Sequence, residues 1–329
     1  MATYKEIHGV KVQYRDSDAT AIVGDVWYNR STSLLKMYAG VGAWASGTNV
    51  PAVRDNSMGF GTATAAQVAG GQNPGSSPTN LATNLDWNGS SWSEEGDLST
   101  ARRAGVGFGT SSTSGLVATG TDPNGTTAVV EQWNGTSWTE IADLNTARDY
   151  AGGAGTVTAG LVAAGNDPAP TRVESEEWNG TSWTEGANCN TGKTGPGSSF
   201  QGTQSSALLF GGKIPPASTG IKDETEEYDG SSWTEVGDMN QKRVEGCGAG
   251  VATFALAYGG AYPSTTKIDT CEEYNGSSWA EVADLSTARM NINLSNGSAL
   301  NCLAIGGLAS TAAVEEWDQT ATVQTIAFD

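Results

Sequence analysis

The chain has 329 residues, with 17 lysines and arginines against 36 acidic residues, a formal net charge of −19. That balance excludes nucleic-acid binding through phosphates, which needs clustered cations, and fits a soluble surface that resists association. Forty-four glycines, eleven tryptophans and no long Ala/Leu/Glu/Lys run point to an all-β protein with many turns.

Residues 1–20 read as an extended arm. Met1 to Val10 is charged and lacks an apolar run, so no secretory signal is expected. No stretch approaches the ~20 apolar residues that span a bilayer, so no membrane insertion is expected. Gly24-Asp25-Val26-Trp27-Tyr28-Asn29, followed by Leu34-Leu35-Lys36-Met37-Tyr38, predicts two short strands around a polar turn. The segment marked by Asp25, Trp27 and Tyr28 resembles a hairpin of phage tail-fibre and other virion appendage proteins. The resemblance implies anchoring and assembly; otherwise the segment is a generic hairpin with a buried Trp. Residues 1–40 are thus read as arm and hairpin, and 41–329 as a separate repeat domain.

One phrase then recurs five times, fullest as Trp133-Asn134-Gly135-Thr136-Ser137-Trp138. It opens on Trp87, Trp133, Trp178, Tyr228 or Tyr274 and closes on Trp92, Trp138, Trp183, Trp233 or Trp279. The closing Trp positions are separated by 46, 45, 50 and 46 residues, a period of propeller blades or a solenoid. Asn-Gly and Asp-Gly predict a two-residue hairpin turn with both central residues at positive φ. Five residues after the closing Trp stands Asp97, Asp143, Asn188, Asp238 or Asp284. Ten residues after it stands a cation: Arg102, Arg148, Lys193, Arg243 or Arg289. Trp44 fits the same register, with Asn49 and Arg54 at the two offsets.

From each cation the unit divides into four strands. The first is glycine-rich, as in Gly105-Val106-Gly107-Phe108-Gly109. The second ends in a small pair such as Gly70-Gly71 or Gly259-Gly260. The third carries acid and the opening aromatic, as in Glu176-Glu177-Trp178. The fourth carries the closing Trp. Glycine weakens a strand, and its concentration in the first strand has a cause if those strands converge on an axis. Six cations mark six four-stranded blades. The sixth reaches Trp317 without a second Trp; either the Trp44 segment or residues 321–328 would complete it. Over residues 40–320 the pattern resembles the kelch-type repeat, departing from it in the Asn-Gly-Ser/Thr-Ser-Trp turn and the Thr-Ala-Arg opening. With the N-terminal hairpin, it resembles kelch-like proteins encoded by marine and other tailed phages. The expected fold is therefore an all-β, six-bladed kelch-like propeller.

Length variation is concentrated between the second and third strands, at 72–81, 121–127, 166–172, 213–222 and 261–266. These loops share a face with the connections between blades, and binding is commonly built on loops held by a rigid scaffold. Asn124, Asn166, Lys213 and Tyr262 are the candidate contacts there; neutral drift in loop length is the alternative.

Arg102 and its equivalents are expected to pair with the third-strand Glu or with the acid five residues earlier, as structural ion pairs copied around the ring. His8 is the only histidine, which excludes a His-rich metal centre and disfavours a Ser-His-Asp triad. The arginines occupy equivalent positions, unlike a sialidase triad. Adjacent carboxylates such as Glu176 and Glu177 point to opposite faces of a strand. Asn-x-Ser/Thr sequons at Asn88, Asn134, Asn179 and Asn275 fall in the hairpin turns. Cys189, Cys247, Cys271 and Cys302 lack CxxC spacing and are expected as reduced packing residues, with a disulfide left open.

The expectation is a non-enzymatic protein without cofactor or metal. The resemblance implies a phage virion appendage, tail-associated or capsid-decorating. Its arm would contact other virion proteins, its propeller a host glycan or surface protein, and several copies would sit in each particle. A cellular kelch-like interaction module and a carbohydrate-active enzyme are the alternatives.

Overall fold

The computed structural model describes residues 13–16, 26–76, 79–167, 172–214, 220–292, 296–308 and 311–325. They contain strands and no helix, and form two compact units: residues 1–43 with 318–329, and residues 44–317.

In the first unit Gln13–Arg15 pairs parallel with Val26–Asn29, which pairs antiparallel with the start of Leu34–Ser46. The predicted hairpin is therefore present from Val26 onward; Asp25 lies outside the described residues. Trp27 is fully buried. The Asn29 side-chain oxygen accepts the Thr32 N–H at 3.0 Å and shapes the turn.

Residues 44–317 form a six-bladed β-propeller of four-stranded antiparallel blades. Blade 1 consists of Met58–Thr62, Ala65–Ala69, Asn84–Trp87 and Trp92–Glu94. Blade 2 consists of Val106–Ser111, Ser114–Asp122, Gly125–Trp133 and Trp138–Glu140. Blade 3 consists of Gly152–Thr156, Ala159–Ala163, Ser175–Trp178 and Trp183–Glu185. Blade 4 consists of Gly197–Ser198, Ala207–Phe210, Thr225–Tyr228 and Trp233–Val236. Blade 5 consists of Cys247–Val251, Phe254–Tyr258, Cys271–Tyr274 and Trp279–Val282. In blade 6, Asn296–Ser298 and Asn301–Ile305 are followed by the start of Val314–Thr325, and the end of Leu34–Ser46 takes the outer place.

That arrangement settles which segment closes the ring. Val314–Thr325 continues as one strand instead of returning as an outer strand, so the alternative placed on 321–328 does not hold. The Gly47 N–H donates to the Val314 carbonyl at 2.8 Å. Trp44 packs at a tilt against Trp317 with ring centroids 5.3 Å apart, in the place held by the pairs Trp87–Trp92, Trp133–Trp138, Trp178–Trp183, Tyr228–Trp233 and Tyr274–Trp279 in the other blades. Between blades, an aromatic of one blade meets the outer Trp of the next: Phe60 on Trp138, Phe108 on Trp183, Phe210 on Trp279 and Tyr258 on Trp44. The core is this set of interblade layers.

Glycine in the innermost strands answers to crowding. A Cβ on Gly107 would lie 2.5 Å from the carbonyl oxygen of Gly59 in the neighbouring blade, where no side chain fits.

The predicted two-residue turn is corrected. Trp133 pairs with Trp138, so four residues form the loop, and only Gly135 has positive φ. The Asn134 side-chain oxygen accepts the N–H groups of Thr136 and Ser137 at 3.0 and 2.9 Å. Asn and Asp are needed here as local acceptors in an Asx turn, and their own φ need not be positive. The four cysteines are free and buried.

Candidate functional site

The repeated cations are buried among protein partners. Arg102 lies 2.9 Å from Glu131, Arg148 2.7 Å from Glu176, Lys193 2.9 Å from Glu226 and Arg243 2.9 Å from Glu272; Arg289 pairs with Glu315. Each pair lies within one blade. The glutamate also accepts backbone N–H groups from the connection that carries the cation, as Glu272 does from Asn240 at 2.7 Å and Gln241 at 3.0 Å. Arg54 differs: Leu85 occupies the glutamate position, and its guanidinium donates to the Val68 carbonyl and the Thr83 hydroxyl. Burial pushes Arg54 down to about 10, with Glu94 and Asp97 opposing. The repeated Trp92, Trp138, Trp183, Trp233 and Trp279 belong to the interblade layers described above.

Two backbone rings surround the axis on the face that carries the irregular loops. The first joins each second-strand Gly to the cation of the next blade. The N–H groups of Gly71, Gly120, Gly165, Gly212, Gly260 and Gly307 donate to the carbonyls of Arg102, Arg148, Lys193, Arg243, Arg289 and Arg54 at 2.8–3.1 Å. The second ring, two residues past each cation, consists of Asn56, Ala104, Tyr150, Gly195, Glu245 and Asn291. Each N–H donates to the carbonyl of the preceding member at 2.8–3.0 Å, and Asn56 closes the circuit on Asn291. All six have φ between 49° and 62°, a left-handed conformation costly for a residue with a Cβ. Glycine would adopt it with less strain, yet only one of the six is glycine.

These six residues, with Ser57, Gly105, Ala151, Pro196, Gly246 and Ile292, line an open cup of about 40 Å³, room for about three waters. Toward the other face, Gln201 of blade 4 donates its side-chain amide to the Gly61 carbonyl of blade 1 at 2.8 Å and its N–H to Gly250 of blade 5. The axis is thus bonded across below the cup.

The electrostatics around the cup follow from burial. Burial raises Asp55 to about 6, with the Asn56 amide and Arg103 opposing. Burial likewise raises Asp149, opposed by the hydroxyl of Thr121, which donates to it at 2.6 Å. It raises Glu245 too, opposed by Lys213. Tyr150 is pushed up to about 12 by burial and by Glu245. Among the described residues, neither Arg103 nor Lys213 comes within ion-pair distance of a carboxylate. Asp55 Oδ2 and Asn291 Oδ1 accept no hydrogen bond, and Ser57 Oγ has no partner; all three side chains are at least nine-tenths buried.

The predicted loop contacts separate into two kinds. Asn166 and Lys213 are half-buried, and each makes a reciprocal backbone bridge beside the ring, to Asp149 and Thr194 respectively. Asn124 is exposed at the tip of the blade 2 hairpin, its N–H bonded to Asp122 Oδ1 at 2.6 Å. Tyr262 is exposed on blade 5, its N–H bonded to the Thr266 carbonyl. Sequence reasoning missed the ring itself. The available signal was an offset, two residues after each cation, at which the residue type changes in nearly every repeat.

Compared with known proteins, the chain matches no protein-family model and no curated protein sequence. Among the described residues no cluster of three or more His, Cys, Asp or Glu side chains is arranged to hold a metal, and no helix is long and apolar enough to cross a membrane.

Proposed function

We propose that the chain is a non-enzymatic binding protein of a tailed-phage virion, whose propeller presents its loop face to a host-surface glycan or protein or to another virion protein. One observation carries the binding part. The scaffold positions repeat their side chains, whereas the six mouth positions repeat only their backbone. Non-glycine residues held in a costly conformation gather at functional sites, and here they surround an axial cup on the face with variable loops. Five of the repeated cations are accounted for by their glutamates and Arg54 by a carbonyl and a hydroxyl, so the scaffold does not require them to act on a substrate.

The virion part rests on the resemblance of the Trp27-Tyr28 hairpin and the kelch-like repeat to phage proteins. The N-terminal segment would contact other virion proteins, and several copies would sit in each particle. Mass spectrometry of purified particles tests it, with this chain expected among the structural proteins. Its absence from particles, with abundance in the cell fraction, would return it to a cellular interaction module. Turnover of any member of a glycan library would replace binding with catalysis.

A further inference from the structure

We propose that the turns at Asn88, Asn134, Asn179 and Asn275 are sites of spontaneous deamidation by water, which converts each asparagine to an acid without opening its blade. This chemistry is independent of what the propeller binds and of virion residence. Three observations support it. First, the reacting groups are exposed and held together. All four residues of each turn, from the asparagine to the residue before the closing Trp, are exposed. Glycine follows the asparagine, with φ between 88° and 94°, so no Cβ shields its nitrogen from the asparagine Cγ. Each Oδ1 accepts two backbone N–H groups at 2.9–3.0 Å, which fold the side chain back alongside the glycine. Such orientation favours an intramolecular attack, and paired N–H donors stabilise an oxygen on which negative charge develops.

Second, the blade 4 copy of the turn already holds the product. Asp229 stands in the asparagine's place, its Oδ1 accepting the N–H groups of Ser231 and Ser232 at 2.8 Å. Third, the remaining contact survives the change by one rotation. In the asparagine turns Nδ2 donates to the hydroxyl of Ser91, Ser137, Ser182 or Ser278 at 3.1–3.4 Å. In blade 4 the equivalent Ser232 hydroxyl donates to Asp229 Oδ2 at 3.3 Å. A hydroxyl can do either, so no group is orphaned when the amide becomes a carboxylate. In the reaction the glycine nitrogen bonds to Cγ, and its proton passes through solvent to Nδ2, which leaves as ammonia. The resulting succinimide is opened by water, at Cγ to aspartate or at the backbone carbonyl to isoaspartate. One water is consumed and one ammonia released, with nothing oxidised or reduced. Either product adds a negative charge to a chain already at −19, at the end of the blade opposite the variable loops.

Incubating the full chain in warm, mildly alkaline buffer tests the proposal, with peptide mass spectrometry following amide-to-acid conversion at each asparagine. Asn145 and Asn240 serve as internal references, being exposed but followed by Thr and Gln. The four turn asparagines are expected to convert at least about tenfold faster than these two, since no Cβ hinders the approach of the glycine nitrogen. Thermal unfolding of the aged sample is expected to match that of fresh protein. Asn134→Asp, which installs the product directly, is expected to leave the melting temperature unchanged. Turn asparagines that stay intact in the folded chain yet convert in urea would overturn the proposal, because the fold would then protect them. Conversion no faster than at Asn145 and Asn240 would overturn it too, as would a marked fall in the melting temperature of Asn134→Asp. Particle composition and glycan binding are measured separately, so either result leaves those readings to their own tests.

Discussion

Replacing Glu272 with Leu tests the physical account of the repeat most directly. Glu272 accepts from Arg243 Nη2 at 2.9 Å, from the Asn240 N–H at 2.7 Å and side-chain amide at 2.9 Å, and from the Gln241 N–H at 3.0 Å. Its loss leaves Arg243 buried with only the carbonyls of Gly259 and Thr270 as partners. Blade 1 already contains that arrangement, Arg54 facing Leu85, with the guanidinium depressed to about 10. A depression of two to three pH units, at about 1.4 kcal/mol each, is roughly 3 kcal/mol. Breaking a buried pair by removing one partner costs about 3–5 kcal/mol by experience elsewhere, so the two estimates agree. Glu272→Leu is therefore expected to lower stability by about 3–5 kcal/mol, read by urea unfolding followed through tryptophan fluorescence. The double variant Arg243→Met/Glu272→Leu removes the uncompensated charge and is expected to recover part of the loss, short by the orphaned N–H groups of Asn240 and Gln241 and the Gly259 carbonyl that Arg243 served, at about 1 kcal/mol or more each. A loss below about 1 kcal/mol for the single variant would refute the reasoning. So would a double variant as unstable as the single.

Asp55→Asn is expected to stabilise the protein at pH 8 by up to about 3 kcal/mol. The native carboxyl titrates near 6, above its unfolded value, so the folded state binds the extra proton. The penalty is absent below about pH 4, grows as pH rises toward 6 and is full above it. Thermal unfolding of both proteins from pH 3 to 8 should show a gap that opens over that interval; a constant gap would contradict the assignment. Gly107→Ala places a Cβ 2.5 Å from the Gly59 carbonyl oxygen, and is expected to cost about 1–3 kcal/mol through overpacking between blades 1 and 2. Urea midpoints unchanged within error would show that the innermost strands are not packed backbone to backbone.

Much of this architecture was legible because its constraints repeat. An indole every 45 to 50 residues, a cation ten further on and small pairs after it are the footprint of one environment used six times. Trp44 was legible by register, although nothing in the sequence chose between it and residues 321–328; that choice depended on strand pairing at Val314. The turn was misread because Asn-Gly is compatible with two geometries, and the deciding contact, Asn134 Oδ1 on two N–H groups, is not written in composition. The axial ring was invisible to a search for identity. Asn56, Tyr150 and Glu245 share φ and a backbone bond but no chemistry, so only position links them.

That circuit of six amides has an evolutionary corollary. Since every link in it is main chain, exchanging the residue at 56, 104, 150, 195, 245 or 291 alters the lining while the loop of donors and acceptors stays joined. The mouth is in effect a six-letter word that mutation can respell one letter at a time, each letter bounded only by what a left-handed residue tolerates.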